Sequence, residues 1–78
     1  MKQKGDNNTT VQERNKIFAK RLREMRIKRG LTQYELAEKC LFSKSAIGLL
    51  ENCKIQPCVN TVNFIAKKLD CTIYDLLT

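Results

Sequence analysis

An all-α fold of five helices is what the sequence predicts, on three observations. Apolar residues recur at three- and four-residue steps through most of the chain. Thr-x-x-acid patterns at Thr32 to Glu35 and at Thr72 to Asp75 have the form of a capped helix start. No apolar–polar alternation is long enough to make a strand, and no internal repeat is present. The 78 residues allow one domain with a modest core.

The first helix is expected from about Glu13 to Arg29, with Ile17, Phe18, Leu22 and Met25 as its apolar stripe and Gly30 in the usual stop position. Thr32 then caps helix two. Leu36, Ala37 and Cys40 are its inward side, with Tyr34, Glu38 and Lys39 outward. Ser43 is expected to cap helix three, from Lys44 to about Asn52, with Ala46, Ile47 and Leu50 inward. Cys53 to Cys58 holds the only proline, Pro57, and reads as a loop. Helix four spans about Val59 to Leu69, with Val62, Ile65, Ala66 and Leu69 on its apolar face. Thr72 opens a short fifth helix that buries Ile73, Leu76 and Leu77.

Charge narrows the class of partner. Fifteen Lys and Arg against eight Asp and Glu give a net charge of +7. A small domain this basic favours polyanions, nucleic acid before anionic membrane. Arg14, Lys16, Lys20, Arg21, Arg23, Arg26, Lys28 and Arg29 crowd one segment, opposed there only by Glu24. Such a run is most often a solvated helix face, so it supports the reading without deciding it. Residues 1–12 are polar and rich in Asn, Thr and Gly, and are expected to be a flexible arm ahead of a domain over residues 13–78. Lys2 and Lys4 could lie along a DNA backbone, although a leader without a role is the simpler expectation. No apolar stretch resembles a signal peptide or a membrane span, so a cytoplasmic protein is expected, with no membrane partner.

The cysteines are Cys40, Cys53, Cys58 and Cys71. Without a secretion signal, reduced thiols are expected. Only Cys53 and Cys58 approach the spacing of a zinc pair, and the chain has no histidine. Cys40 and Cys71 fall at apolar positions, where cysteine behaves as a small hydrophobe. No metal or other cofactor is expected. No P-loop, Gly-x-Ser-x-Gly or metal-binding carboxylate cluster is present, so the chain is not expected to be an enzyme.

Gln33 to Asn52 reads as two short helices joined by a tight turn, with alanine where they cross. A helix pair of this shape is a device for holding one helix in the DNA major groove. At these residues the chain resembles the phage-repressor and Cro-like helix-turn-helix family. The resemblance is carried by Thr32-Gln33-Tyr34-Glu35-Leu36-Ala37, by Ser43-Lys44-Ser45-Ala46-Ile47, by Leu50-Glu51-Asn52 with Lys54, and by Pro57. It extends from about Phe18 to the Asp75-Leu76-Leu77 ending, nearly all of the expected domain. It implies a compact five-helix, repressor-like DNA-binding domain, with helices two and three as the helix-turn-helix. It also implies a homodimer on a palindromic stretch of double-stranded DNA. No small-molecule effector is evident.

The resemblance assigns roles residue by residue. Gln33 and the start of helix two resemble a phosphate-gripping site, since free N–H groups there favour an anion. Gln33 can equally serve as a second capping residue. Ser43, Lys44, Ser45 and Leu49 match the outward, base-reading positions of the recognition helix. Lys44 can donate to guanine, Ser45 is permissive, and Leu49 offers only apolar contact. Asn52 and Lys54 match the second backbone-contact segment. Arg26 and Glu51 match an arginine and glutamate that pair in the family, tying helix one to the end of helix three.

Four positions depart from the family pattern. Leu41 and Cys53 stand where glycine is usual, and a non-glycine residue in a left-handed turn costs about 1–2 kcal/mol. Gly48 lies within the recognition helix, where it costs about 1 kcal/mol relative to alanine. Leu49 replaces what is often a polar base reader. The expected function is a sequence-specific transcriptional regulator of bacterial or phage type, a repressor in the first instance, acting by occlusion or recruitment at a promoter. The alternatives are an antitoxin-like protein-interaction module that binds DNA weakly, and a thiol or metal sensor using the cysteines.

Overall fold

In the computed structural model, the backbone is described for residues 2–78 and side chains for residues 13–78. Five helices follow in order: α1 (Lys2–Lys28), α2 (Gln33–Cys40), α3 (Ala46–Glu51), α4 (Val59–Lys68) and α5 (Ile73–Leu77). Among the described residues there is no strand. α1 packs against α3 and α5, α2 against α3 and α4, and α4 against α5. Leu22, Leu36, Ile47, Ile65, Leu69 and Leu76 are the largest fully buried side chains, so every helix or its closing residue reaches one core.

The two Thr-x-x-acid starts form as local chemistry dictates. Thr32 Oγ1 accepts from the Glu35 N–H at 3.0 Å while the Thr32 N–H donates to Glu35 Oε1 at 2.9 Å. Thr72 and Asp75 repeat the arrangement at 3.3 and 2.9 Å. Helix ends are equally local. After α1, α2, α3 and α4 a residue turns left-handed: Gly30, Leu41, Cys53 and Asp70, with φ of 72°, 59°, 58° and 57°. In each case the next N–H reaches back to the helix, as when Phe42 N–H donates to the Ala37 carbonyl at 2.9 Å. Phe42 then seats its ring 5.9 Å from Phe64, which pins the α2–α3 turn to α4.

Four expectations need correction. α1 begins at Lys2 and not near Glu13. No proline interrupts residues 2–12, and a helix already nucleated gains one hydrogen bond for each residue it fixes. Lys2 and Lys4 lie outside the described side chains. α3 begins at Ala46, so Ser43 does not cap it and Lys44 is not its first residue. The Ala46 N–H instead donates to the Ser43 carbonyl at 3.1 Å, forming a tight turn that feeds the helix, and Ser45 is the residue at its start. Ile17 is 38% exposed and Ala19 is buried, because α1 turns its 15–19–22 face toward the bundle. Leu77, at the last position of α5, is 39% exposed, leaving Leu76 as the buried anchor there.

Candidate nucleic-acid interface

Glu51, the last residue of α3, is the one buried charged residue described, and its side chain is fully out of solvent. Arg26 of α1 grips it with two parallel bonds, Nε to Oε2 at 2.7 Å and Nη2 to Oε1 at 3.1 Å. The third arm of the same guanidinium donates to the Leu31 carbonyl at 2.9 Å. Gln33 Nε2 of α2 donates to Oε1 at 3.0 Å, and Arg23 Nε stands 3.5 Å from that oxygen. Three helices therefore meet at one carboxylate. Burial opposes ionisation of Glu51, but the bonds from Arg26 and Gln33 and the Arg26 charge together outweigh it. The carboxyl is held below its ordinary value. Among the described residues no buried side-chain polar atom lacks a partner, as a buried ion pair requires.

Gly48 explains itself at this node. A Cβ built on it would stand 3.3 Å from Gln33 Oε1, so the bare backbone of α3 gives Gln33 room to lie across the helix and reach Glu51. A glycine inside a helix pattern is the sequence signal for such a close approach. Arg23, three residues before Arg26 on the same helix face, is the other participant that sequence reasoning did not single out.

The residues expected at the site, DNA contacts and the structural ion pair together, fall into two groups. Gln33, Arg26 and Glu51 are brought together, and one N–H of the Gln33 amide is directed at Glu51 rather than outward. Ser43, Lys44 and Ser45 are exposed in the turn before α3, and Leu49 lies on α3 at 39% exposure. No side-chain bond caps α3 at Ser45. Asn52 and Lys54 are exposed beyond the other end, where the Asn52 N–H donates to the Gly48 carbonyl and the Lys54 N–H to the Leu49 carbonyl.

The basic run of α1 also divides. Arg29 Nε and Nη2 donate to the Leu69 and Asp70 carbonyls at 2.7 and 2.9 Å, which satisfies the end of α4. Arg21 bonds Glu24 at 3.0 Å and the Thr78 carbonyl at 3.1 Å. Arg26 holds Glu51. These three arginines join helices. Lys16 and Lys20 are exposed, with no such bond described.

The four thiols are free. Burial raises the pKa of Cys40 and of Cys71. Cys58, at the start of α4, is lowered by its bond with the Thr61 hydroxyl at 3.3 Å and by the backbone N–H groups of that helix end. Among the described residues no three acidic, cysteine or histidine side chains gather as a metal site. No helix among them is long and apolar enough to cross a membrane.

Comparison with known proteins bears on this arrangement. Among curated proteins none matches the chain. A solved structure described as the hypothetical transcription factor NHTF from Neisseria superposes with a TM-score of 0.82. It covers 87% of this chain and 78% of its own at 24% identity, a likeness of fold. The sequence model of the helix-turn-helix family matches residues 22–76, from the core of α1 to the buried anchor of α5. With α2 and α3 held at the angle the Glu51 node sets, the chain belongs to the phage-repressor and Cro-like helix-turn-helix family of DNA-binding domains.

Proposed function

We propose that this domain is a sequence-specific transcriptional regulator, a repressor of bacterial or phage type, that binds a palindromic operator as a homodimer. The observation that carries the reading is the contrast within α3: one end anchored through Glu51 to α1 and α2, the other presenting Ser43, Lys44 and Ser45 to solvent. A helix fixed from behind can lie in a major groove with its leading side chains on base edges, while Gln33, Asn52 and Lys54 meet phosphates. Occlusion of a promoter needs nothing more than such binding.

Tyr74 is 72% exposed and Leu77 39% exposed on α5, an apolar and aromatic pair that an isologous contact would cover. Two copies joined there would read half-sites about 10 base pairs apart. Sedimentation at rising concentration should show self-association that Tyr74→Glu removes. A wild type that stays monomeric and binds one per site would overturn the dimer.

Selection from a random duplex pool tests the function itself. A two-fold consensus should emerge, with affinity falling as salt rises by about −0.9 in log–log slope for each neutralised phosphate. No enrichment and a flat salt response would sink the reading. Leu41, 91% exposed, and Leu49 favour a second reading, an antitoxin-like module that docks a protein on this face. That reading expects weak, sequence-indifferent DNA binding in the same selection.

A further inference from the structure

Apart from Arg21, Arg26 and Arg29, the solvent side of α1 keeps a distinct basic face. Lys16, Lys20 and Arg23 recur at four- and three-residue steps, so they share one side of the helix, and all three are exposed. They border a shallow recess with Ala19, Glu24, Glu51 and Cys53 at the crossing of α1 over the end of α3. Two contacts fix where this face lies. Cys53 Sγ is 3.7 Å from the Asn15 carbonyl, so α1 runs alongside the segment that leads to Lys54. Arg23 and Gln33 approach the same oxygen of Glu51, so the face continues from the start of α2.

We infer that Lys16, Lys20 and Arg23 form an auxiliary phosphate-binding stripe that grips the duplex backbone beyond the segment read by α3. The inference rests on the DNA-binding reading above and extends its footprint. Seven residues of helix span about 10 Å. One strand of B-DNA carries a charge about every 3.4 Å of axis, so the stripe matches two or three phosphates. Local acids do not cancel the two lysines: Glu24 is held by Arg21 at 3.0 Å, Glu51 by Arg26 with Arg23 Nε 3.5 Å away at the end of the stripe, and Glu13 stands at the margin. The ammonium groups of Lys16 and Lys20 suit this task, since they meet phosphate as point charges, and the guanidinium of Arg23 adds a planar fork at the end of the stripe. A membrane surface fits less well. Interfacial helices insert an apolar face, and among the described residues of α1 the apolar Phe18 and Leu22 are in the core.

The test uses Lys16→Gln/Lys20→Gln, which leaves Arg23 and the Glu51 node intact. Binding is measured by fluorescence anisotropy over a salt series. The probes are a duplex of about 30 base pairs carrying the selected site, and the same site trimmed of its flanks. Wild type should bind the long duplex with a log–log salt slope steeper by about 2 than the variant's, and the two proteins should converge on the trimmed duplex. The variant should select the same consensus and keep the wild-type thermal midpoint. Equal slopes on the long duplex, or an equal loss on both duplexes, would overturn the stripe while leaving the DNA-binding reading in place. A wild type that binds neither duplex removes the functional reading, and the stripe with it.

Discussion

At its C-terminal end α3 delivers Glu51 to Arg26, Gln33 and Arg23, and among the described residues no buried side-chain polar atom lacks a partner. At its N-terminal end Ser45 makes no capping bond, and Ser43 and Lys44 stand in solvent. The same short helix is over-determined at one end and left open at the other. A reading helix needs both conditions. Its angle must not drift, which calls for buried, charge-assisted bonds. Its contact groups must not already be satisfied, because hydrogen-bonding capacity used within the protein is unavailable to a base edge.

Breaking the closed end should have the largest effect. Arg26→Ala or Glu51→Ala strands a buried charge or unpairs the guanidinium, at a cost of about 3–5 kcal/mol. That is a large part of the 5–15 kcal/mol typical of a domain. Thermal denaturation should show the double variant less damaged than the sum of the single ones; additive losses would mean that the pair is not coupled. Acid should have the same target. An ordinary glutamate titrates near pH 4.3, roughly, and Glu51 lies below its ordinary value when folded. Its stabilisation is therefore complete above the unfolded value and lost as pH falls through the folded one. Asp75, lowered chiefly by the Thr72 backbone N–H, shifts in the same direction. A thermal midpoint followed downward from neutral pH should fall less steeply in Glu51→Gln than in wild type.

Altering the open end should leave the fold alone. Ser43→Ala, Lys44→Ala and Ser45→Ala remove exposed side chains and should change stability by no more than about 0.5 kcal/mol. Loss of a good base contact relaxes discrimination by about 1–3 kcal/mol. Lys54→Ala should instead weaken all sequences alike. Site selection with each variant separates the two outcomes, and an unchanged consensus for the first three would take them off the reading face.

The turn between α2 and α3 offers a smaller effect. Leu41 holds φ 59° while 91% exposed, so its side chain gains little packing for the left-handed strain. Leu41→Gly should raise the unfolding free energy by up to about 1 kcal/mol, the strain relieved less the added entropy of glycine in the unfolded chain. Denaturant unfolding would show it as a higher midpoint at constant slope. A lower midpoint would mean that Leu41 packs in a way its exposure does not suggest.

What could be read in advance follows the range of the interactions. Thr32 with Glu35 and Thr72 with Asp75 are three residues apart, so the sequence alone carries the capped starts. The buried faces of α2 and α4 follow from their periodicity. The start of α3 does not, because the Ser43–Ala46 turn and a helical start differ only in a bond the backbone can make either way. Ile17 and Leu77 sit at the edges of their stripes, where a rotation of the helix by a fraction of a turn exchanges core for solvent. Arg26 and Glu51 were legible through family resemblance, being 25 residues apart. Gln33 was expected at a phosphate and not as a partner of Glu51, because that contact exists only once α2 has crossed α3 at Gly48.

Gly48 joins the two ends of α3 in one experiment. Gly48→Ala gains about 1 kcal/mol of helix propensity in isolation. The new Cβ, 3.3 Å from Gln33 Oε1, asks that side chain to shift by a few tenths of an ångström. Gln33 is held by its 3.0 Å bond to Glu51, so any shift is taken out of that bond. The two effects oppose, and the net change in wild-type background should be within about 0.5 kcal/mol of zero. In a Gln33→Ala background the obstruction is gone, and the same substitution should yield its full gain of about 1 kcal/mol. The difference between backgrounds is the coupling energy of α2 with α3 through this contact. A gain of equal size in both backgrounds would show that Gln33 yields freely and does not help to set the angle of α3.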